Sequence, residues 1–315
     1  MIPSTFLMFS MMIVGALLSL SSSSWVVIWL GLELNMLAVL PMMGKFRAGG
    51  EVQLKYFVVQ SLGSCLLMIG AVNKILLKWM VDLMGSNFIL GLGLLVKLGV
   101  FPGHFWVPYV VGNSSWGMAF ILSSWQKIAP SVLLVSMISP WVVVCAIMTS
   151  VIGAINGINQ SDYRALLASS SLVHMGWVLV ILSNSLSRVL MYMLVYFMVL
   201  SMVFFVLSSM SSSKMTAKTS YPVWLQFLSL AGMPPLMGFI PKFIGIETIS
   251  FSGGGLMIIG LLLSASSISL YFYLRIVTNK LLGLAVGSEK SFHYINLFQL
   301  LGGVLLITWC CLLLV

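Results

Sequence analysis

Apolar runs of about twenty residues, the length of a membrane-spanning helix, follow one another from Pro3 to Val315, separated only by short breaks of Gly, Ser, Asn or charge. That succession restricts the fold more than any other feature. In lipid every backbone polar group must be satisfied within the chain, so such runs form helices. Hydrophobic residues fill 60% of the 315 positions and charged residues 7%, which excludes an ordinary soluble protein. The first run has no basic leader and no small-residue cleavage site, so it reads as mature structure rather than a signal peptide.

The breaks place eleven helices near 3–20, 24–43, 52–79, 86–111, 116–138, 140–157, 163–183, 187–209, 221–251, 254–283 and 292–315. The expected fold is an all-α polytopic membrane protein, one domain over residues 1–315. An odd number of spans puts the termini on opposite sides. Loops on the N-terminal side carry Lys45, Arg47, Arg164, Lys214, Lys218, Lys280 and Lys290, against Lys74, Lys78 and Arg188 on the other. Basic residues hold loops inside, so the N-terminus is expected on the inner side. The same rule accounts for the net charge of +9 without a nucleic-acid partner, because the basic residues stand singly.

A few charges lie where snorkelling does not reach. Glu33, in Trp25–Asn35, sits about 15 Å from either end of its run at 1.5 Å per residue. Lys97 shares its run with Pro102, Gly103 and His104. Lys127 lies at the middle of the fifth run, with Pro130 predicted to kink the helix three residues on. Lys242 follows Gly232, Pro234, Pro235, Gly238 and Pro241, a spacing no regular helix accepts. The runs near 86–111 and 221–251 are thus expected to be discontinuous, each bearing a lysine. Two such helices in antiparallel positions point to an inverted repeat with its site at the midplane.

Inserting Glu33, Lys97, Lys127 and Lys242 unaided would cost about 10–14 kcal/mol, of the order of a domain's whole stability. They must be paired, hydrated or neutralised. One glutamate cannot pair three lysines, which favours a proton relay over static ion pairs. Lys55, near the inner end of the third run, is open to two readings: a functional group, or a lysine snorkelling to the interface. His174 follows Ser169, Ser170 and Ser171, and both a short water chain and a satisfied core histidine fit it. Cys65, Cys145, Cys310 and Cys311 show neither metal-ligand spacing nor a disulfide framework. No nucleotide-binding glycine motif and no nucleophile–histidine–acid set occurs in a soluble segment.

Taken together, Trp29-Leu-Gly-Leu-Glu33-Leu-Asn35, Lys55-Tyr-Phe, Lys97-Leu-Gly-Val, His104-Phe-Trp-Val-Pro108, Trp125-Gln-Lys127-Ile-Ala-Pro130, Ser170-Ser171 with His174-Met-Gly-Trp177, and Gly232-Met-Pro-Pro with Gly238-Phe-Ile-Pro-Lys242 resemble the subunit 2 family of mitochondrial NADH dehydrogenase. These are antiporter-like membrane subunits of respiratory complex I. The many methionines and serines with few charges agree with mitochondrial encoding. The resemblance implies a proton-translocating subunit of an NADH:ubiquinone reductase in the mitochondrial inner membrane, its N-terminus on the matrix side. It implies Glu33 as partner of the input lysine Lys97, His104 next along the path, Lys127 as central relay and Lys242 as output lysine. Lys55 and His174 match family positions of secondary role. It further implies no cofactor or metal on this chain, with NADH, FMN, iron–sulfur clusters and ubiquinone held by other subunits. The partners implied are other membrane-arm and accessory subunits and lipid. A subunit of a multi-subunit cation/proton antiporter, or a structural spacer without an active channel, are the alternatives. Two positions depart from the family: Gly103 replaces an aromatic, which is expected to loosen the break, and Tyr109 replaces an acid, which removes a surface charge.

Overall fold

The computed structural model describes residues 2–45, 49–76, 84–208, 221–234, 236–251 and 255–282. Among them every regular element is helical. The helices are α1 (Ile2–Ser21), α2 (Trp25–Lys45), α3 (Gly50–Leu76), α4 (Met84–Leu98), α5 (Trp106–Gly112), α6 (Trp116–Ser123), α7 (Trp125–Leu133), α8 (Pro140–Ile158), α9 (Tyr163–Leu182), α10 (Leu186–Ser208), α11 (Tyr221–Ala231), α12 (Phe239–Ser250) and α13 (Leu256–Leu282). Among the described residues seven stretches are long and apolar enough to cross a bilayer, while α1 and α4 are shorter apolar helices. The expected last helix at 292–315, with Cys310 and Cys311, lies outside the described residues. So do Arg47, Lys78, Lys214, Lys218 and Lys290 of the orientation argument. The chain divides into two compact units, Met1–Thr149 and Ser150–Val315.

In the first unit, glycines let helices approach closely. A Cβ on Gly15 of α1 would lie 2.7 Å from the Gly31 carbonyl of α2, and one on Gly31 would lie 2.7 Å from the Gly15 carbonyl. The crossing of α3 and α4 repeats the device: a Cβ on Gly93 would meet the Gly63 carbonyl at 2.9 Å. Small residues at crossings are how helices pack where lipid supplies no hydrophobic drive.

The second unit is organised around α9. Every residue of α9 except Arg164 is buried, which is the pattern of a helix surrounded on all sides. It packs against α10, α12 and α13. Gly245 of α12 would bring a Cβ to 2.6 Å from the Trp177 ring of α9, so this glycine makes room for the indole.

The apolar side chains on the outside are large. Leu256 is 86% exposed, Phe6 75% and Phe205 66%, a surface suited to lipid. Serine hydroxyls do not interrupt it, because most donate to carbonyls three or four residues back in their own helix, as Ser61 does to Val58 and Ser201 to Met198.

The fifth expected span is not one helix with a kink after Lys127. The backbone is interrupted at Ser124 (φ −116°, ψ −78°), three residues before it. Pro130 removes the donor that would bond the Gln126 carbonyl. In the preceding turn the Ser123 hydroxyl donates to Ala119 at 2.7 Å and the Ser124 hydroxyl to Phe120 at 2.6 Å. Two adjacent serine back-bonds and one missing donor move the interruption upstream.

Candidate functional site

Both discontinuous helices break where the sequence expects, and by the same device. Gly99 takes φ +69° and Gly232 takes φ +73°, the left-handed region where a side chain is strained. At the first break Gly99 N–H donates to Val96 O at 3.1 Å and Val100 N–H to Leu95 O at 3.0 Å. At the second, Gly232 N–H donates to Ser229 O at 3.0 Å and Met233 N–H to Leu228 O at 3.4 Å. Both are Schellman caps: the left-handed glycine turns its own N–H and the next one back onto carbonyls the helix leaves orphaned. Proline follows, at Pro102 and Pro234, and prevents the helix from resuming.

Remaining carbonyls at each break are capped by side chains. Gln60 of α3 donates to the Lys97 carbonyl at 3.2 Å, and the Trp106 indole N–H adds a second donor to Val96 O, already bonded by Gly99, at 3.3 Å. At the end of α11 the donor to the Ala231 carbonyl is the Lys242 ammonium itself. The negative end of a helix favours a cation there. Lys242 also lies across Gly232: a Cβ on that glycine would sit 2.8 Å from the lysine Cδ and Cε.

Lys97, in the last turn of α4, is 5% exposed. Its Nζ lies 3.6 Å from Glu33 Oε2 of α2. That is ion-pair range, yet longer than the 2.7–2.9 Å or so of a charge-assisted hydrogen bond. Neither atom has a hydrogen-bond partner among the described residues. Gly63 of α3 makes room for the lysine stem, since a Cβ there would meet Lys97 Cγ at 2.8 Å. The structure thus brings a buried Lys97 and a partly exposed Glu33 together as a loosely made pair. Lys127 is buried at 3% exposure in the first turn of α7.

His104 lies inside the first break, buried beside the rings of Phe101 and Phe105 at 6.1 and 3.9 Å, and its Nδ1 has no hydrogen-bond partner among the described residues. His174 is the satisfied core histidine of the two readings. Its Nδ1 pairs with the Tyr192 hydroxyl at 2.9 Å, and the Tyr196 ring lies at 4.4 Å. The serines before it bond their own helix: Ser169 to Ala165, Ser170 to Leu167 and Ser171 to Ala168.

Lys55 stands at the outer edge of α3. It pairs with Glu51 at 2.7 Å and lies 3.6 Å above the Tyr109 ring. The Tyr109 hydroxyl donates to the same Glu51 carboxylate at 2.8 Å. The surface acid expected to be lost at position 109 is therefore matched by one from α3. Nor does Gly103 loosen the break, for it packs so closely on Val96 that a Cβ would lie 3.1 Å from the Val96 Cα. Glu247, five residues beyond Lys242, faces Arg188 at 3.9 Å.

Gln60, Trp106, Asn35, Gln126 and Tyr192 were not singled out from the sequence as site residues. The signal available was polarity: Gln60, Asn35 and Gln126 are amides inside apolar runs, where an unpaired amide is costly.

One break thus carries a lysine facing a glutamate, and the other a lysine that caps a helix end. The chain belongs to the family described as NADH:quinone oxidoreductase/Mrp antiporter, transmembrane, whose model matches residues 22–269. Its relatives include NADH-ubiquinone oxidoreductase chain 2 of Myxine glutinosa, 33% identical over 90% of this chain and 89% of that one. The chain 2 proteins of Locusta migratoria and Xenopus laevis are 32% and 34% identical, over 86% and 82% of this chain and 83% and 81% of their own. The fold is that of a chain in respiratory complex I from Thermus thermophilus, with a TM-score of 0.81 at 23% identity over 97% of this chain and 77% of that one. A chain of the Mrp complex from Dietzia shares it at a TM-score of 0.75 and 18% identity, over 90% of this chain and 61% of its own.

Proposed function

We propose that this chain is a proton-translocating, antiporter-like membrane-arm subunit of a complex I-type NADH:ubiquinone oxidoreductase, acting through Glu33, Lys97, Lys127 and Lys242. The observation that carries the proposal is the pair of the buried Lys97 with Glu33 at 3.6 Å beside a capped helix break. A lysine with one movable counter-charge and no competing hydrogen bond changes its proton affinity when that charge moves. Glu33 swinging away from Lys97 favours release of the lysine proton, and its return favours uptake. Lys127 receives the proton next, and Lys242, whose ammonium rests on a helix-end carbonyl, is the output group. His104 lines the first break and hands protons along it. His174 and Lys55 play secondary parts, the first as a buried hydrogen-bonding group and the second at the surface.

The redox chemistry belongs to other subunits, with NADH, FMN, iron–sulfur clusters and ubiquinone held there. Neighbouring membrane-arm subunits, accessory subunits and lipid cover the exposed apolar faces. The setting is the mitochondrial inner membrane, with the N-terminus on the matrix side. Eleven spans arranged as an inverted repeat complete the reading, supported by one Schellman-capped, lysine-bearing break in each unit. Relatives at 32–34% identity that are all chain 2 of the oxidoreductase favour this over a cation/proton antiporter subunit.

The test is the proton-to-electron ratio of the assembled enzyme in sealed membrane vesicles. Lys97→Ala is expected to lower the ratio while NADH oxidation continues. An unchanged ratio removes the relay and leaves the spacer alternative.

A further inference from the structure

Two amide side chains join α2 to α7 reciprocally. Asn35 Nδ2 donates to Gln126 Oε1 at 3.1 Å, and Gln126 Nε2 donates to Asn35 Oδ1 at 2.9 Å. Asn35 is 2% exposed, so its amide has no ready substitute in water. The main packing neighbours of α2 are α1 and α3, and those of α7 are α4, α6 and α1. The amide pair therefore spans helices that are not each other's main neighbours.

Its position along both helices matters. Glu33 lies two residues before Asn35, about 200° around the helix at 3.6 residues per turn. One side of α2 thus faces α4 with Glu33 while another reaches α7 with Asn35. On the partner helix, Gln126 is the residue before Lys127. The interruption at Ser124 leaves the start of α7 without a continuous helix behind it. Something other than the α6 backbone must set its register.

We infer that Asn35 and Gln126 are positioning residues that tie the helix bearing Glu33 to the helix bearing Lys127. Opening of the Lys97–Glu33 pair is then a movement of the glutamate side chain on a fixed helix, and the distance to the next station stays constant. The inference rests on the relay proposed above, and it adds two residues that touch no proton themselves. A reciprocal pair suits this purpose because either amide left alone in an apolar setting has both its donor and its acceptor unmet.

The test compares Asn35→Leu, Gln126→Met, the exchanged double variant Asn35→Gln/Gln126→Asn and Lys97→Ala in the assembled enzyme in sealed vesicles. Proton-to-electron ratios are taken per assembled complex, alongside the pH profile of pumping. Asn35→Leu and Gln126→Met are each expected to fall to the ratio of Lys97→Ala and to shift the pH profile. The exchanged variant, which keeps two amides face to face, is expected to recover more than half of the loss. If Lys97→Ala lowers the ratio but the two single variants pump at the full ratio, with only the amount of assembled complex reduced, the pair is structural and the inference is overturned. An exchanged variant that recovers nothing also overturns it. Lys97→Ala at the full ratio would instead overturn the relay beneath it.

Discussion

The two helix breaks use one backbone device and opposite side-chain arrangements. Each ends a half-helix with a left-handed glycine in a Schellman cap, at Gly99 and at Gly232. At the first, the lysine belongs to the helix that ends, and neutral donors from Gln60 and Trp106 cap the carbonyls. Its ammonium is left to face Glu33. At the second, the lysine comes from the half-helix that begins, and its ammonium performs the capping. Lys97 thus faces a carboxylate, whereas Lys242 faces a helix-end dipole. Under the proposed relay, the same break gives a switchable site in one unit and a capping one in the other.

The largest expected effect breaks the first arrangement. Glu33→Ala leaves Lys97 buried without its counter-charge, a situation that costs about 3–5 kcal/mol where measured. It should lower the thermal inactivation temperature of the assembled enzyme well below that of Lys97→Ala, which leaves a partly exposed carboxylate behind. Equal temperatures for the two variants would mean the pair does not stabilise the charge on Lys97.

Lys242→Met comes next. It removes the donor to Ala231 O and orphans a buried carbonyl, which costs about 1–3 kcal/mol. The thermal inactivation temperature of the assembled enzyme should fall, by less than in Glu33→Ala.

Smaller effects sharpen the likeness of the two backbones. Gly99→Ala and Gly232→Ala each force a side chain into the left-handed region, at about 1–2 kcal/mol. Thermal inactivation should fall in both, and further in Gly99→Ala, whose methyl would run into Val107 Cγ2. Only Gly232→Ala should also disturb Lys242, because its methyl would press on the lysine stem, so its proton-to-electron ratio should fall further. Lys55→Ala marks the low end, since its pair with Glu51 is exposed to solvent. Stability should stay at the unmodified value, and the ratio should fall least of all the variants.

Much of this was legible in the chain. Glycine followed at short distance by proline is the signature of a capped helix end, and it marks both breaks. Lysines and a glutamate far from any interface announce the site by cost alone. What stayed hidden depends on contacts between distant segments. Nothing near Gln60 says that it caps Lys97, and nothing near Asn35 says that it meets Gln126, because each bond joins two helices whose register the sequence does not display. The break at Ser124 was missed for a local reason. Proline was weighed alone, while two adjacent serines upstream supplied hydroxyls that compete for the helix carbonyls.

Under the proposed relay, Lys97 and Lys242 work by giving up a proton, rather than by holding helices together with charge. Arginine keeps the charge and the hydrogen-bond donors but does not deprotonate in proteins. The proton-to-electron ratio of Lys97→Arg and Lys242→Arg enzymes, measured per assembled complex in sealed vesicles, therefore separates the two possibilities. Both ratios are expected to fall to that of Lys97→Ala with electron transfer retained. Full ratios in the arginine variants would contradict the claim and make both lysines structural.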